Sequence, residues 1–341
     1  MSDKPFTVAS VQATPIFMDR AATTEKACGL IAEAASNGAK VVVFPEVFVP
    51  GYPDWVHVLP GGSPMHGRLY ATLLDQSVTI PGPEVDRLCK AAKQARTCVV
   101  MGLNERNAEA SGGSIYNTLL YIDDKGQVMG RHRKLVPTAA ERLVWAAGDG
   151  STLGAYATPY GKLGGLICWE NYMPLARYAM YAWGTQIYVA ATWDSSDTWL
   201  ATVQHIAKEG RCVVIGCCMA MRRDDVPDAL EFKAQYPEGG DGWINRGSSA
   251  IVIPDRIVAG PAMNEETILY AKIDPARMRG AKMSLDAAGH YARPDIFQLT
   301  VNRGPNVMLN VAEGQHSTNG RELAPQERTT VKRKKTSKGR P

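Results

Sequence analysis

No stretch of this 341-residue chain stays apolar over the roughly 20 residues that a bilayer span requires, so no transmembrane helix is expected. Cysteine pairing is absent as well. The seven cysteines are an odd number without C-x-x-C spacing, and Cys217 and Cys218 are adjacent, which argues for reduced thiols rather than a disulfide framework. The six histidines (57, 66, 132, 205, 290 and 316) show no metal-ligand spacing such as H-x-x-x-H; neither a metal nor an organic cofactor is expected. A Pro/Gly/Ser linker is missing, composition does not break before about Gly314, and no internal repeat is evident. Between Met1 and the strand-like run that starts at Phe6 there is no room for a signal peptide. Together these absences lead us to expect a cytoplasmic protein without a membrane partner.

What is there is an ordinary globular composition, 45% apolar and 21% charged, sufficient for a large core. The net charge of +4 is unevenly placed. Residues 321–341 hold eight Lys/Arg against two Asp/Glu, a balance of +6, which leaves −2 for the rest of the chain. The expected organisation is one domain over 1–314 and a basic, disordered tail over 315–341. The Lys332-Arg333-Lys334-Lys335 run could touch nucleic acid, but the tail has almost no large apolar residues to bury, and a solvated terminus is the preferred reading.

Strand-like and helical segments alternate. Strands are expected at Phe6–Val11, Val41–Phe44, Cys98–Leu103, Tyr116–Ile122, Val128–His132, Gly164–Cys168, Gln186–Ala190, Cys212–Gly216, Ser249–Ile253 and Thr267–Ile273. Helices are expected near Ala21–Ala35, Glu84–Ala95, Leu175–Trp183 and Leu200–Glu209. The turn Asp123-Asp124-Lys125-Gly126 makes a hairpin of the fourth and fifth strands. The fold class is therefore α/β, a layered domain with mixed β-sheets.

Three segments bring a reactive side chain to the end of an apolar strand. Phe44-Pro45-Glu46 presents a carboxylate, the charged run Arg131 to Arg142 carries Lys134, and Gly164-Gly165-Leu166-Ile167-Cys168 ends on a thiol before a polar turn and a helix. A cysteine on a strand-to-helix turn resembles a nucleophile elbow, where turn and helix N–H groups lower the thiol pKa and bind an oxyanion. Taken singly, each is more often a packed cysteine, a capping glutamate or a solvated lysine. As a set they supply nucleophile, base and cation: a buried carboxylate has the raised pKa that a base needs, and an ammonium stabilises developing negative charge.

Glu46, Lys134 and Cys168 within the words Phe-Pro-Glu (44–46), His-Arg-Lys-Leu-x-Pro-Thr (132–138) and Cys-Trp-Glu-Asn (168–171) resemble the Glu-Lys-Cys triad of the carbon–nitrogen hydrolase, or nitrilase, superfamily. The resemblance extends to about Val311. Cys-Trp-Glu and the word Asp286 to Asp295 resemble the true nitrilase branch, since amidase branches more often place Tyr-Asp after the cysteine. The resemblance implies an α-β-β-α sandwich that dimerises and extends into spirals or helical filaments, and a second glutamate at Glu141. It also implies hydrolysis of a small-molecule nitrile. Cys168 attacks the nitrile carbon after Glu46 takes its proton, Lys134 stabilises the tetrahedral species, and Glu141 positions substrate or supports Lys134.

Tyr52, Trp55, Trp145, Trp169 and Trp193 lie close in sequence to these elements and are the candidate pocket walls, which suits an aromatic or arylaliphatic nitrile. His290 is read as a structural residue. The competing functions are an amidase or nitrile-hydrating enzyme on the same triad, a catalytically silent filament protein, and a nucleic-acid binder acting through the tail.

Overall fold

The computed structural model describes residues 4–309; the expected tail at 315–341 lies outside the described residues. The chain to Asn306 forms one body. Its first half runs β1 (Phe6–Gln12), α1 (Arg20–Ser36), β2 (Ala39–Val43), α2 (Trp55–Val58), α3 (Met65–Gln76), α4 (Pro83–Ala95), β3 (Cys98–Arg106), β4 (Ile115–Ile122) and β5 (Val128–Arg133). The second runs β6 (Ala155–Thr158), β7 (Gly161–Ile167), α5 (Pro174–Ala182), β8 (Ile187–Thr192), α6 (Asp197–Gly210), β9 (Val213–Cys218), β10 (Ala220–Arg222), β11 (Trp243–Arg246), β12 (Ser249–Ile253), β13 (Arg256–Ala262), β14 (Thr267–Ile273) and α7 (Pro275–Ala281).

Two six-stranded sheets result, ordered β14-β1-β2-β3-β4-β5 and β6-β7-β8-β9-β12-β13. In each, an antiparallel pair leads into three parallel strands, followed by two antiparallel ones. The two sheets share one strand pattern, the first completed by β14 from the chain's second half, although no repeat is legible in the residues.

Alternation along the strands explains the layering. Val8, Val41, Val43, Cys98 and Val100 of the first sheet pack on Ile167, Ile187, Val189, Val213 and Ile215 of the second, so these side chains form the seam between the sheets. The opposite face of the first sheet, with Ala9, Val42 and Val99, is covered by Ile31 of α1 and by Val85 and Leu88 of α4. The opposite face of the second, with Leu166, Tyr188 and Val214, is covered by Met180 of α5 and by Val203 and Ile206 of α6. The architecture is the expected α-β-β-α sandwich. Residues 286–306 run over the outer side of the second sheet, where Asn306 N–H donates to Asp149 at 2.7 Å and the Arg303 guanidinium lies 5.4 Å from the Trp183 ring centre.

Every strand and helix expected from sequence is present. The structure adds α2, α3, α7, the short edge strand β6, the ribbon β10–β11, and β13, whose Gly260-Pro261 interrupts the strand pattern. Gly102 in β3 is a site of enforced close approach. A Cβ there would lie 2.0 Å from the Pro45 carbonyl oxygen, so only glycine lets the Pro45-Glu46 segment lie against β3. No described helix is long and apolar enough to cross a membrane.

Candidate active site

Glu46 follows β2, Lys134 follows β5 directly, and Cys168 follows β7 directly. The backbone at these ends is unusual: Val47, Ala139 and Cys168 all have positive φ, at 44°, 46° and 50°. For a β-branched residue such as Val47 this conformation is disfavoured, and such outliers concentrate where surrounding structure imposes them. The polar turn after Cys168 is 3-10 in form over Cys168–Tyr172, and α5 begins only at Pro174.

The structure brings Glu46, Lys134 and Glu141 into one buried chain. The Lys134 ammonium donates to Glu46 Oε1 at 2.8 Å and to Glu141 Oε2 at 2.7 Å, and the Lys134 and Glu46 side chains are wholly inaccessible. Glu46 Oε1 also accepts from Asn117 Nδ2 at 2.6 Å, and Oε2 accepts from the Trp193 N–H at 2.8 Å. Glu141 accepts from Thr138 N–H at 2.6 Å and from the Tyr52 hydroxyl at 2.8 Å; that hydroxyl lies 3.1 Å from His57 Nε2. Cys168 Sγ sits at the end of β7 and accepts from the Thr192 hydroxyl at 3.2 Å.

Burial, reinforced by the neighbouring Glu141 charge, raises the Glu46 carboxyl above its ordinary range against the pull of Lys134. Burial opposes a charged Lys134, but the surrounding negative charge, that of Glu46 foremost, outweighs it and keeps the ammonium protonated. Burial also pushes the Cys168 thiol up, the Glu46 charge pushes it further, and Lys134 and the Thr192 hydrogen bond pull it down. The expectation that the elbow lowers this thiol pKa is thus corrected: desolvation of the buried sulfur at the base of the cleft, with the Glu46 charge, exceeds the opposing cation and hydroxyl. Moving the thiol proton to Glu46 redistributes charge among Cys168, Glu46, Lys134 and Glu141 without changing their total.

A cleft of about 790 Å³ opens onto the sulfur, lined among others by Tyr52, Cys168, Trp169, Tyr172 and Trp193, with Glu141 and His57 at its edge. Trp193 stacks flat on Tyr52, with ring centres 4.5 Å apart and planes 2° from parallel. Half-exposed Trp169 donates its indole N–H to Asp194 Oδ2 at 2.9 Å. Two expected wall residues do not line the cleft. Trp55 is buried in the first-sheet core, edge-on to Phe232, because α2 turns it inward. Trp145 stands one layer back, edge-on to Tyr52, with its indole N–H held by Asn104 Oδ1 at 2.8 Å and its ring 5.6 Å from the Lys134 ammonium. His290 is exposed, edge-on to Tyr291, away from the cleft lining.

Sequence reasoning missed Glu170. Its carboxylate accepts from the Leu135 N–H at 2.6 Å, the Ile167 N–H at 2.7 Å and His132 Nε2 at 3.0 Å. Leu135 follows the lysine and Ile167 precedes the cysteine, so one buried carboxylate ties the two segments together. Burial opposes its charge, but His132 and the two N–H groups outweigh burial and hold its pKa below the ordinary value. The only signal in the sequence is the Ile167-x-x-Glu170 spacing, in which a glutamate reaches back to the N–H at the start of a turn. Among the described residues no group of three or more His, Cys, Asp or Glu side chains is arranged to hold a metal ion.

Comparison with known proteins identifies the family. The family model for carbon-nitrogen hydrolases matches residues 7–283. An aliphatic nitrilase of Sinorhizobium fredii is 44% identical over 306 residues, covering 88% of this chain and 96% of its own length. A bifunctional nitrilase/nitrile hydratase, NIT4B of Nicotiana tabacum, is 43% identical, covering 85% of this chain and 84% of its own length. Nitrilase 2 of Arabidopsis thaliana is 40% identical, with coverages of 86% and 88%. In fold, the chain is similar to Saccharomyces cerevisiae Nit3, a member of the nitrilase superfamily, at a TM-score of 0.64 and 21% identity, covering 85% of this chain and 99% of that one. On the family match and on relatives this similar over most of its length, the chain belongs to the carbon–nitrogen hydrolase family, in its nitrilase branch.

Proposed function

We propose that this chain hydrolyses a nitrile to the carboxylic acid and ammonia through a thioimidate and a thioester on Cys168, and that aromatic or arylaliphatic nitriles fit it best. The observation that carries this reading is a single sulfur facing an aromatic-walled cleft and backed by a buried carboxylate–ammonium–carboxylate chain. Glu46 takes the thiol proton, the sulfur adds to the nitrile carbon, and the proton passes to the nitrogen, giving the thioimidate. Water then adds with Glu46 as base, the nitrogen leaves as ammonia, and a second water releases the acid and restores the thiol. Lys134, held protonated between the two glutamates, stabilises the anionic character of each tetrahedral species. Glu141 supports Lys134 and anchors Tyr52.

A second outcome is favoured by the name of one relative, which describes both nitrilase and nitrile hydratase activity. If the tetrahedral species expels sulfur instead of ammonia, the product is an amide. Exposed Leu143, Leu175 and Phe297, at 60%, 67% and 77% of their full exposure, are apolar surface that further copies would cover in a homodimer extended into spirals or filaments.

The test is ammonia, acid and amide release from phenylacetonitrile, benzonitrile, a short dinitrile, cyanide and the matching amides, with Cys168→Ala as control. Acid and ammonia from nitriles, lost in Cys168→Ala, are expected. Turnover of amides alone would assign an amidase; persistence of nitrile turnover in Cys168→Ala would remove the sulfur from the mechanism.

A further inference from the structure

The end of β8 touches the site three times in three consecutive residues. Thr192 reaches the sulfur, the Trp193 N–H holds the Glu46 carboxylate while its ring lies on Tyr52, and Asp194 holds the Trp169 indole. Thr192 is fully buried, and the direction of its hydroxyl proton is settled by its other partner. Its oxygen accepts from the Asp194 N–H at 2.8 Å, which leaves its single proton free for Cys168 Sγ at 3.2 Å. The loop is braced from its far side by Asn245, whose amide donates to the Trp193 carbonyl, and by Ser248, whose hydroxyl donates to the Asp194 carbonyl at 3.2 Å. The hydroxyl is therefore delivered by a rigid strand end and a fixed turn.

We propose that Thr192 is a further catalytic residue, whose hydroxyl donates a hydrogen bond to the Cys168 sulfur and stabilises the thiolate both when it attacks and when it is expelled. The proposal rests on the reading of Cys168 as the nucleophile. A hydrogen bond to a charged acceptor exceeds one to a neutral acceptor, so the donor favours thiolate over thiol. Burial makes thiolate formation costly here, and only one ammonium, itself shared by two carboxylates, opposes that cost. A donor placed directly on the sulfur, in addition to the field of Lys134, is what the chemistry lacks without Thr192. The same bond fixes the side-chain torsion of Cys168, so the sulfur's lone pairs stay aimed in one direction.

The experiment needs a readout other than turnover, because the nucleophile assignment is itself a proposal. Iodoacetamide alkylation of Cys168, quantified by peptide mass spectrometry so that the other six cysteines are read separately, is followed against pH in the wild type, Thr192→Val, Thr192→Ser and Asn245→Ala. Thr192→Val keeps the shape and removes the hydroxyl. Its Cys168 alkylation rate at neutral pH is expected to fall by about 10-fold or more and its midpoint to move to higher pH, with kcat for a nitrile falling by a comparable factor. Thr192→Ser should keep the wild-type midpoint. Asn245→Ala loosens the same loop without touching sulfur and should also leave the midpoint in place. An unchanged midpoint in Thr192→Val, or an equal shift in Asn245→Ala, would overturn the proposal by making Thr192 a purely structural residue. Should Thr192→Val not fold, as judged by its circular dichroism, Thr192→Ala removes the hydroxyl without the added bulk and is read in the same way. Failure of the nucleophile reading appears elsewhere, as nitrile turnover that survives Cys168→Ala.

Discussion

The backbone N–H of Trp193 donates to Glu46 Oε2 across 2.8 Å, and the two residues come from different sheets. The carboxylate at the end of β2 is thus oriented by the end of β8, whose preceding residue touches the sulfur. With Oε1 occupied by Asn117 and Lys134, Glu46 has no rotational freedom left. A base that is to remove one proton and later activate water is best served by such fixation.

Glu46→Gln retains the shape and one oxygen for the Asn117 and Lys134 donors, but its amide nitrogen then faces the Trp193 N–H and it cannot take up a proton. Nitrile turnover is expected to fall by about 10²–10⁴-fold. The fold should be retained, because Lys134 keeps Glu141 as its counter-ion. Steady-state kinetics beside a thermal melt separates the two effects.

Lys134→Met removes the ammonium and leaves two buried carboxylates without a cation. The expected cost is about 3–5 kcal/mol, together with loss of turnover. The direction of its pH dependence follows from the same groups. A buried carboxylate without a cation is destabilising only while ionised, and burial raises the Glu46 carboxyl, so the deficit should shrink as pH is lowered and Glu46 protonates. Urea unfolding at neutral and mildly acidic pH gives this difference.

Trp193→Ala leaves its N–H on Glu46 but removes the ring that lies on Tyr52. The cleft enlarges beside the sulfur. Relative kcat/KM should move by about 10-fold or more from small nitriles toward bulky arylaliphatic ones, with the loss on small substrates appearing in KM before kcat. A ratio unchanged across a graded nitrile series would remove Trp193 from the specificity wall.

Glu170→Gln weakens the tie between the lysine and cysteine segments. Because the folded-state pKa of Glu170 lies below the ordinary value of 4.5, its contribution to stability is complete above that value and is lost as pH falls through the folded-state value. The stability gap between wild type and Glu170→Gln should therefore be constant near neutrality and close progressively below about pH 4.5. Melting temperatures measured over that range check the sign.

Periodicity was enough to place every apolar strand and the helices with a broad buried stripe, because burial on one face leaves its mark on the residues. It did not reveal β13, broken by Gly260-Pro261, the four-residue β6, or α3, which fully buries only Leu69 and Leu73 and leaves Met65, Tyr70 and Leu74 partly covered. The segments carrying Glu46, Lys134, Glu141 and Cys168 were legible as words, and the structure brings all four residues together. The pocket walls were less so: Trp55 and Trp193 look alike in sequence, and only the turn of α2 sends one inward while the end of β8 sends the other to the cleft. Glu170 was hidden because its work is done on main-chain N–H groups, which every residue possesses.

The seam between the sheets has a mechanical consequence for the chemistry proposed above. The carboxylate and the ammonium ride on one sheet and the sulfur on the other, with Val43, Val100, Ile167 and Val189 between them. Their mutual distance is set jointly by that hydrocarbon layer and by the hydrogen bonds that bridge the two sheets, Trp193 N–H to Glu46 and the pair from Leu135 and Ile167 N–H to Glu170. A methylene removed at the seam, far from any substrate, would let one sheet slide against the other and detune proton transfer while the outer helices stay in place. The interior thus acts as a spacer, and hydrostatic pressure, which compresses such a layer without altering a single side chain, becomes a way to vary the reacting distance continuously.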